Sequence, residues 1–139
     1  MPPPFPPHIP GRTPRPPEGA FNALKQGLGR PLTGGEIAAH PALRAGLELL
    51  ADGYAWEAHE VLEALWMTAA PASRERSLLQ ALIQLANARL KTTMGRETAA
   101  RRIALLGHAA LRDARLGGAA DVLGLSLAQI EAELMQYIA

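Results

Sequence analysis

The sequence predicts an all-α protein, a small bundle of about five helices preceded by a proline-rich arm. Three observations support this fold class. Apolar residues recur at helical spacing, proline and glycine punctuate the chain between these stretches, and no segment alternates apolar and polar residues as a half-buried strand does. Nine of the 12 prolines fall within the first 17 of 139 residues, which separates the arm from the helical part.

The chain divides into three segments, of which the third is the only folded domain. Residues 1–19 are the proline-rich arm, residues 20–40 are a glycine-interrupted lead-in, and residues 41–139 form a single helical domain. Because a proline-rich segment offers few backbone donors and little apolar area, we expect the arm to be flexible and to lie outside the core.

Five helices are expected in this domain, and their ends are marked by known start and stop signals. A proline opens the first helix, glycines or a proline follow the helix ends, and a serine with glutamine three residues later predicts a capping box for the last. The predicted helices run from Pro41 to about Asp52, from Tyr54 to about Ala69, from Ser73 to about Thr93, from about Arg96 to Arg115, and onward from Ser126.

Composition excludes several classes of function. The chain has no cysteine, which excludes disulfides, thiolate metal sites and cysteine nucleophiles, and this usage is typical of a reducing compartment such as the cytoplasm. A net charge of +1 gives no reason to expect a nucleic-acid partner. The first residues lack the basic and apolar regions of an export signal, and no apolar run is long enough to predict a membrane span.

The second predicted helix carries an unusual polar face. One side of this helix carries Trp56, His59, Glu63 and Trp66 and is bordered by Glu60. The opposite side is apolar, as in an ordinary amphipathic helix. Both tryptophans of the protein therefore frame one histidine and one carboxylate. Since a solvated face rarely holds two indoles, we expect this side to pack on another surface or to line a groove.

The third predicted helix offers a polar stripe that begins with Gln80 and Gln84. An antiparallel hairpin through the short turn at Pro71 would set Glu63 level with Gln80 and His59 level with Gln84. Helix rotation, which the sequence does not determine, decides whether the two polar stripes face each other or run side by side.

One interpretation of this face is a metal site. His59 and Glu63, four residues apart on a helix, could each ligate a divalent cation such as zinc or manganese, with Glu60 as the base that activates water. A hydrolytic zinc site needs a third protein ligand, which the helix itself does not supply. The remaining candidates by chemistry alone are His40, His108 and Asp121.

The alternative interpretation is a structural hydrogen-bond network. Glu63 would accept hydrogen bonds from His59, Gln80 or an indole, and Arg89 would offset a buried carboxylate. The two tryptophans would then serve as anchors in the core or in a homodimer interface.

The two blocks Gly53–Trp66 and Leu79–Ala88 resemble the bacterial and archaeal family called domain of unknown function 309. The family signature is H-E-x-x-E-x-x-W followed by Q-G-L-I-Q-x-A, and the resemblance covers about residues 42–115. This chain departs from the signature at Ala81, where the family usually has glycine. The resemblance implies a small all-helical fold and assigns motif positions to Trp56, His59, Glu60, Glu63, Trp66, Gln80 and Gln84.

Two functions are compatible with these features. The first is a structural or binding module with a layer of histidine, glutamate and glutamine between helices. The second is a metal-dependent hydrolase, an activity with which members of the family are often labelled, in which Trp56, Trp66, Gln80 and Gln84 line the substrate pocket. Neither interpretation identifies a substrate.

Overall fold

The computed structural model describes residues 2–139, and this part of the chain confirms the predicted all-α class. It contains six α-helices and one ribbon of two short antiparallel strands. The helices are α1 (Gly34–Ala39), α2 (Pro41–Ala51), α3 (Ala55–Trp66), α4 (Arg74–Thr93), α5 (Glu97–Ala114) and α6 (Leu127–Ile138), and the strands are β1 (Asp121–Val122) and β2 (Leu125–Ser126).

The predicted start signals at Pro41 and Ser73 are observed, and of the capping box predicted at Ser126 the hydrogen bond from the Gln129 N–H is observed. Pro41 lies in the first turn of α2, where its missing N–H leaves no helical hydrogen bond unmade. The hydroxyls of Ser73 and Ser126 accept hydrogen bonds from the third backbone N–H groups of α4 and α6. Interactions within the first turn of these helices therefore determine where they begin.

Two short elements depart from the prediction. Helix α1 lies within the predicted lead-in, where Thr33 and Glu36 cap each other's backbone N–H groups and offset the two glycines that begin the helix. The β1–β2 ribbon is the second difference. Its strands have two residues each, which is too short for any alternation to be visible in the sequence.

Helices α3 and α4 form the predicted antiparallel hairpin. At its closed end the Arg76 guanidinium lies 3.9 Å from the centre of the Trp66 ring, and it donates a hydrogen bond to the Ala69 carbonyl at 2.9 Å. Trp66 is the last residue of α3 and Arg76 lies in the first turn of α4. An antiparallel pairing through the Pro71 turn brings these two residues side by side. The hairpin prediction is therefore confirmed.

Close helix crossings complete the core. A Cβ on Gly107 of α5 would lie 2.9 Å from a methyl of Leu134 and 3.1 Å from the Cβ of Gln84. A Cβ on Gly46 of α2 would likewise lie 2.8 Å from a methyl of Leu62, which is fully buried. Glycine is required at both crossings because the facing side chains occupy the space. Within residues 2–139, no helix combines the length and the apolar character needed to cross a membrane.

Candidate functional site

Helix α3 separates its residues into a core side and an outward side. Ala58, Val61, Leu62 and Leu65 are fully buried. The outward side is less accessible than a solvated face, since Trp56, His59, Glu60 and Trp66 are half-buried and only Glu63 of this group is exposed. The expectation that this face packs on another surface is confirmed for its tryptophans, since Trp66 contacts Arg76 of α4 and Trp56 contacts His8 of the arm.

His59 and Glu63 form a pair on this face. His59 Nε2 lies 2.9 Å from Glu63 Oε2, and the two side chains are 24% and 48% exposed. One turn of helix therefore aims a nitrogen and a carboxylate oxygen at the same point, as both the metal and the network interpretations require. Residues 2–139 contain no group of three histidine, aspartate or glutamate side chains arranged to hold a metal ion. The local donor set does not fit a hydrolytic zinc site, which needs a third protein ligand.

The polar stripe of α4 is only partly directed at this pair. Gln80 and Gln84 are both half-buried, but the Cβ of Gln84 lies against Gly107 of α5. Gln84 therefore belongs to the α4–α5 contact, while His59 pairs along its own helix. Of the two rotations of α4 that the sequence leaves open, this contact favours the one in which the two polar stripes run side by side.

Sequence reasoning missed the most buried polar residue of the site, Glu57. This carboxyl is 0% exposed, and its Oε2 accepts a hydrogen bond of 2.8 Å from the backbone N–H of His8. Its Oε1 is buried and has no hydrogen-bond partner in residues 2–139. Burial raises the pKa of Glu57, and the hydrogen bond from His8 opposes this rise without cancelling it.

A sequence signal for Glu57 does exist. The residue lies three positions after Tyr54 and four before Val61, so it falls on the same helical stripe as the core. A carboxylate on such a stripe predicts a buried hydrogen-bond donor beside it. In the structure this donor is the backbone N–H of His8 in the arm.

The arm does not stay apart from the body, which corrects the prediction for residues 1–19. The hydroxyl of Tyr54 donates a hydrogen bond of 2.6 Å to the Phe5 carbonyl, and the Phe5 ring packs edge-on against the rings of Tyr54 and Phe21. His8 is buried, with its ring edge-on to Trp56 at a centroid distance of 4.8 Å. Prolines limit backbone donors, but the two aromatic contacts and the single N–H of His8 are enough to dock the arm.

The docked arm also has internal structure. The Thr13 hydroxyl accepts from the Ile9 N–H at 2.7 Å and donates to the Pro7 carbonyl at 2.8 Å, which closes a tight turn around His8. Arg12 then donates to the carbonyl of Thr93 at the end of α4. The turn holds the His8 N–H in the direction of α3, so the hydrogen bond to the buried carboxyl needs little further ordering.

A depression of about 350 Å³ lies where the arm leaves α3. Its lining includes Trp56 and Glu60 of α3 together with Arg15, Phe21 and Lys25. The Arg15 guanidinium lies 5.9 Å from the centre of the Trp56 ring. Glu60, the predicted base, therefore lies beside the arm.

These features define a small helical domain whose outward α3 face carries a His–Glu pair and is half covered by its own N-terminal segment. The model of the family described as Domain of unknown function (DUF309) matches residues 43–103, from the start of α2 into α5. Residues 43–103 are therefore similar to this family, which confirms the resemblance over that segment. The match ends before residue 115, the limit expected from the sequence. No curated protein and no solved structure gives a significant match to the chain.

Proposed function

We propose that this protein is a binding module in which the start of α3, with Tyr54, Trp56 and Glu57, forms a groove for an extended, proline-rich segment. The observation that carries the proposal is the hydrogen bond of 2.8 Å from the His8 N–H to the buried carboxyl of Glu57. A fully buried carboxyl on a surface helix is costly unless a partner is supplied. Here the partner comes from a segment 49 residues away in the sequence.

The chemistry of the groove suits this type of ligand. Proline-rich chains are preorganised as extended helices and dock on aromatic surfaces with little loss of entropy. Tyr54 supplies a hydroxyl donor for a ligand carbonyl, Trp56 supplies an aromatic wall, and Glu57 accepts from a backbone N–H that is not blocked by proline. The groove therefore selects an extended segment with one free N–H at a defined position.

A second copy of the chain offers the same segment. Exchange of arms between two copies would produce a homodimer with the same contacts, and we include this dimer in the proposal. Sedimentation velocity across a range of concentrations tests for it. The cytoplasmic location stays a prediction.

The experiment for the groove uses a fluorescent peptide with the sequence of residues 2–17. The receptor is the full chain carrying His8→Pro, in which the internal competitor has lost its N–H donor. We expect the peptide to bind in an anisotropy titration and the same peptide with proline at position 8 to bind at least about tenfold more weakly. Equal binding of both peptides, or no binding by a receptor that circular dichroism shows to be folded, would exclude this groove.

The alternative is a metal-dependent hydrolase, and one observation favours it. His59 Nε2 and Glu63 Oε2 converge to 2.9 Å on a partly exposed surface. Glu60, which follows His59 in the sequence, is the predicted base. The third protein ligand that such a site needs is the missing element, since residues 2–139 bring no third carboxylate or imidazole to the pair. Binding of zinc or manganese by the whole protein, measured by mass spectrometry and abolished by His59→Ala, would favour this alternative.

A further inference from the structure

A cavity far from the α3 signature lies between α2, α4, β2 and α6. Its volume is about 370 Å³, which is within the range of small-molecule sites. The walls are mainly aliphatic and include Leu47, Leu50, Leu82, Leu125 and Ile130. Leu50, Leu82 and Ile130 are buried core residues, so this side of the cavity is rigid.

Two opposite charges stand together on the polar side of this cavity. Arg89 of α4 donates a hydrogen bond to the Leu50 carbonyl at 3.1 Å, which anchors its guanidinium at the end of α2. Its second terminal nitrogen lies 3.3 Å from Glu133 Oε2 of α6. The two side chains are 27% and 35% exposed, so each remains accessible from the cavity.

The Arg89–Glu133 pair is not closed tightly. Charge-assisted hydrogen bonds between a guanidinium and a carboxylate are usually about 2.7–2.9 Å long, shorter than the 3.3 Å seen here. A guanidinium has five N–H donors, and these two contacts use only two of them. A ligand can therefore pair with either charge without displacing the anchor on Leu50.

Charge complementarity identifies the class of ligand. An apolar acid would pair with Arg89 but would bring its carboxylate close to Glu133, and an apolar amine would pair with Glu133 but approach Arg89. A zwitterion satisfies both side chains at once, with its carboxylate on the guanidinium and its ammonium on the carboxylate. The aliphatic walls then accept an apolar side chain attached next to these groups.

We infer that this cavity binds a small zwitterion with an aliphatic side chain, that is, a free apolar α-amino acid. The inference does not depend on the groove of α3, because the lining of the cavity includes none of Tyr54, Trp56 and Glu57. It adds to the module a ligand site lined by α2, α4, β2 and α6.

The test is isothermal titration calorimetry of the full chain with L-leucine and two matched probes. 4-Methylpentanoate keeps the aliphatic group and the carboxylate, and 3-methylbutylamine keeps the aliphatic group and the ammonium. We expect leucine to bind at least about tenfold more tightly than either probe, because only leucine pairs with both charges. Equal affinity of all three compounds, or no heat of binding with leucine, would overturn the inference.

A matched pair of variants on α6 tests the role of the cavity. Glu133→Gln removes the carboxylate that should hold the ammonium, and we expect it to weaken leucine binding at least about tenfold. Glu131→Gln is the control, since Glu131 lies on the same helix and pairs with Arg115 at 3.0 Å, outside the cavity. Unchanged leucine affinity in Glu133→Gln, or an equal loss in both variants, would overturn the assignment. His8→Pro should leave leucine binding intact, which distinguishes this site from the α3 groove.

Discussion

Replacing His8 by proline is the sharpest perturbation of the docked arm, because it deletes a single N–H from a segment that is already rich in proline. His8→Ala is its matched control. Both variants lose the imidazole and its contact with Trp56, but only the alanine variant keeps the N–H that reaches Glu57 Oε2 at 2.8 Å. The difference between the two variants therefore isolates the hydrogen bond.

The expected difference follows from the burial of Glu57. A hydrogen bond to a charged group contributes about 1.5–3 kcal/mol, and its loss leaves a buried carboxyl whose Oε1 already has no partner in the described residues. The loss is limited by the free energy of docking, because an undocked arm exposes Glu57 to water. We therefore expect His8→Pro to be about 1.5–2 kcal/mol less stable than His8→Ala, which lowers the melting temperature by roughly 5–8 °C for a domain of this size.

Urea unfolding of the four combinations in a double-mutant cycle with Glu57→Met provides the measurement. In the Glu57→Met background the acceptor is absent, so His8→Pro and His8→Ala should have equal stability. If the proline penalty persists there in full, the cause is a misfit of the proline ring. The hydrogen bond would then not be what docks the arm.

Three further predictions concern the rest of the site and the core. Because burial raises the pKa of Glu57 above its ordinary value of 4.5, the native state holds this proton more tightly than the unfolded state, so stability should fall as pH rises from about 4.5 through the raised pKa. Glu57→Gln should remove this fall in urea titrations at several pH values, and parallel profiles of parent and variant would contradict the reasoning. If the His59–Glu63 pair is structural, melting curves with chelator and with zinc or manganese should coincide, whereas a metal-dependent rise lost in both His59→Ala and Glu63→Gln would support the hydrolase. Gly107→Ala should cost about 1–3 kcal/mol, since the new methyl meets side chains of α4 and α6. Gly35→Ala in α1, where the nearest atom is 4.0 Å away, should be neutral or stabilising when both are measured by thermal unfolding.

Local chemistry explains why most of the bundle could be predicted. Pro41, Ser73 and Ser126 act on backbone groups within their own turn, so their effect does not depend on the rest of the fold. Helix α1 was missed for the corresponding reason. Gly34 and Gly35 lower its intrinsic propensity, and the capping box that offsets them requires Thr33 and Glu36 to be read together.

The site was less predictable because it depends on contacts between distant segments. The spacing of His59 and Glu63 was sufficient to predict their proximity, since both lie on one helix. The Cβ of Gln84 lies against Gly107 of α5, which is 23 positions later in the sequence, so no local pattern reveals this contact. The burial of Glu57 depends on the arm, which lies 49 residues away in the sequence and is expected from its prolines to be free.

The long separation between the arm and its groove has a consequence for folding kinetics. The hydrogen bonds from His8 to Glu57 and from Tyr54 to Phe5 each join residues 49 positions apart, whereas the α3–α4 hairpin closes through a short turn. Loop-closure entropy therefore places arm docking after the helices have assembled. Contacts that form after the transition state lower the unfolding rate and leave the refolding rate unchanged. We therefore expect the docked arm to slow unfolding of the bundle. A chain under synthesis exposes this arm until the groove of α3 has formed, and the exchange of arms proposed above would take place in that interval.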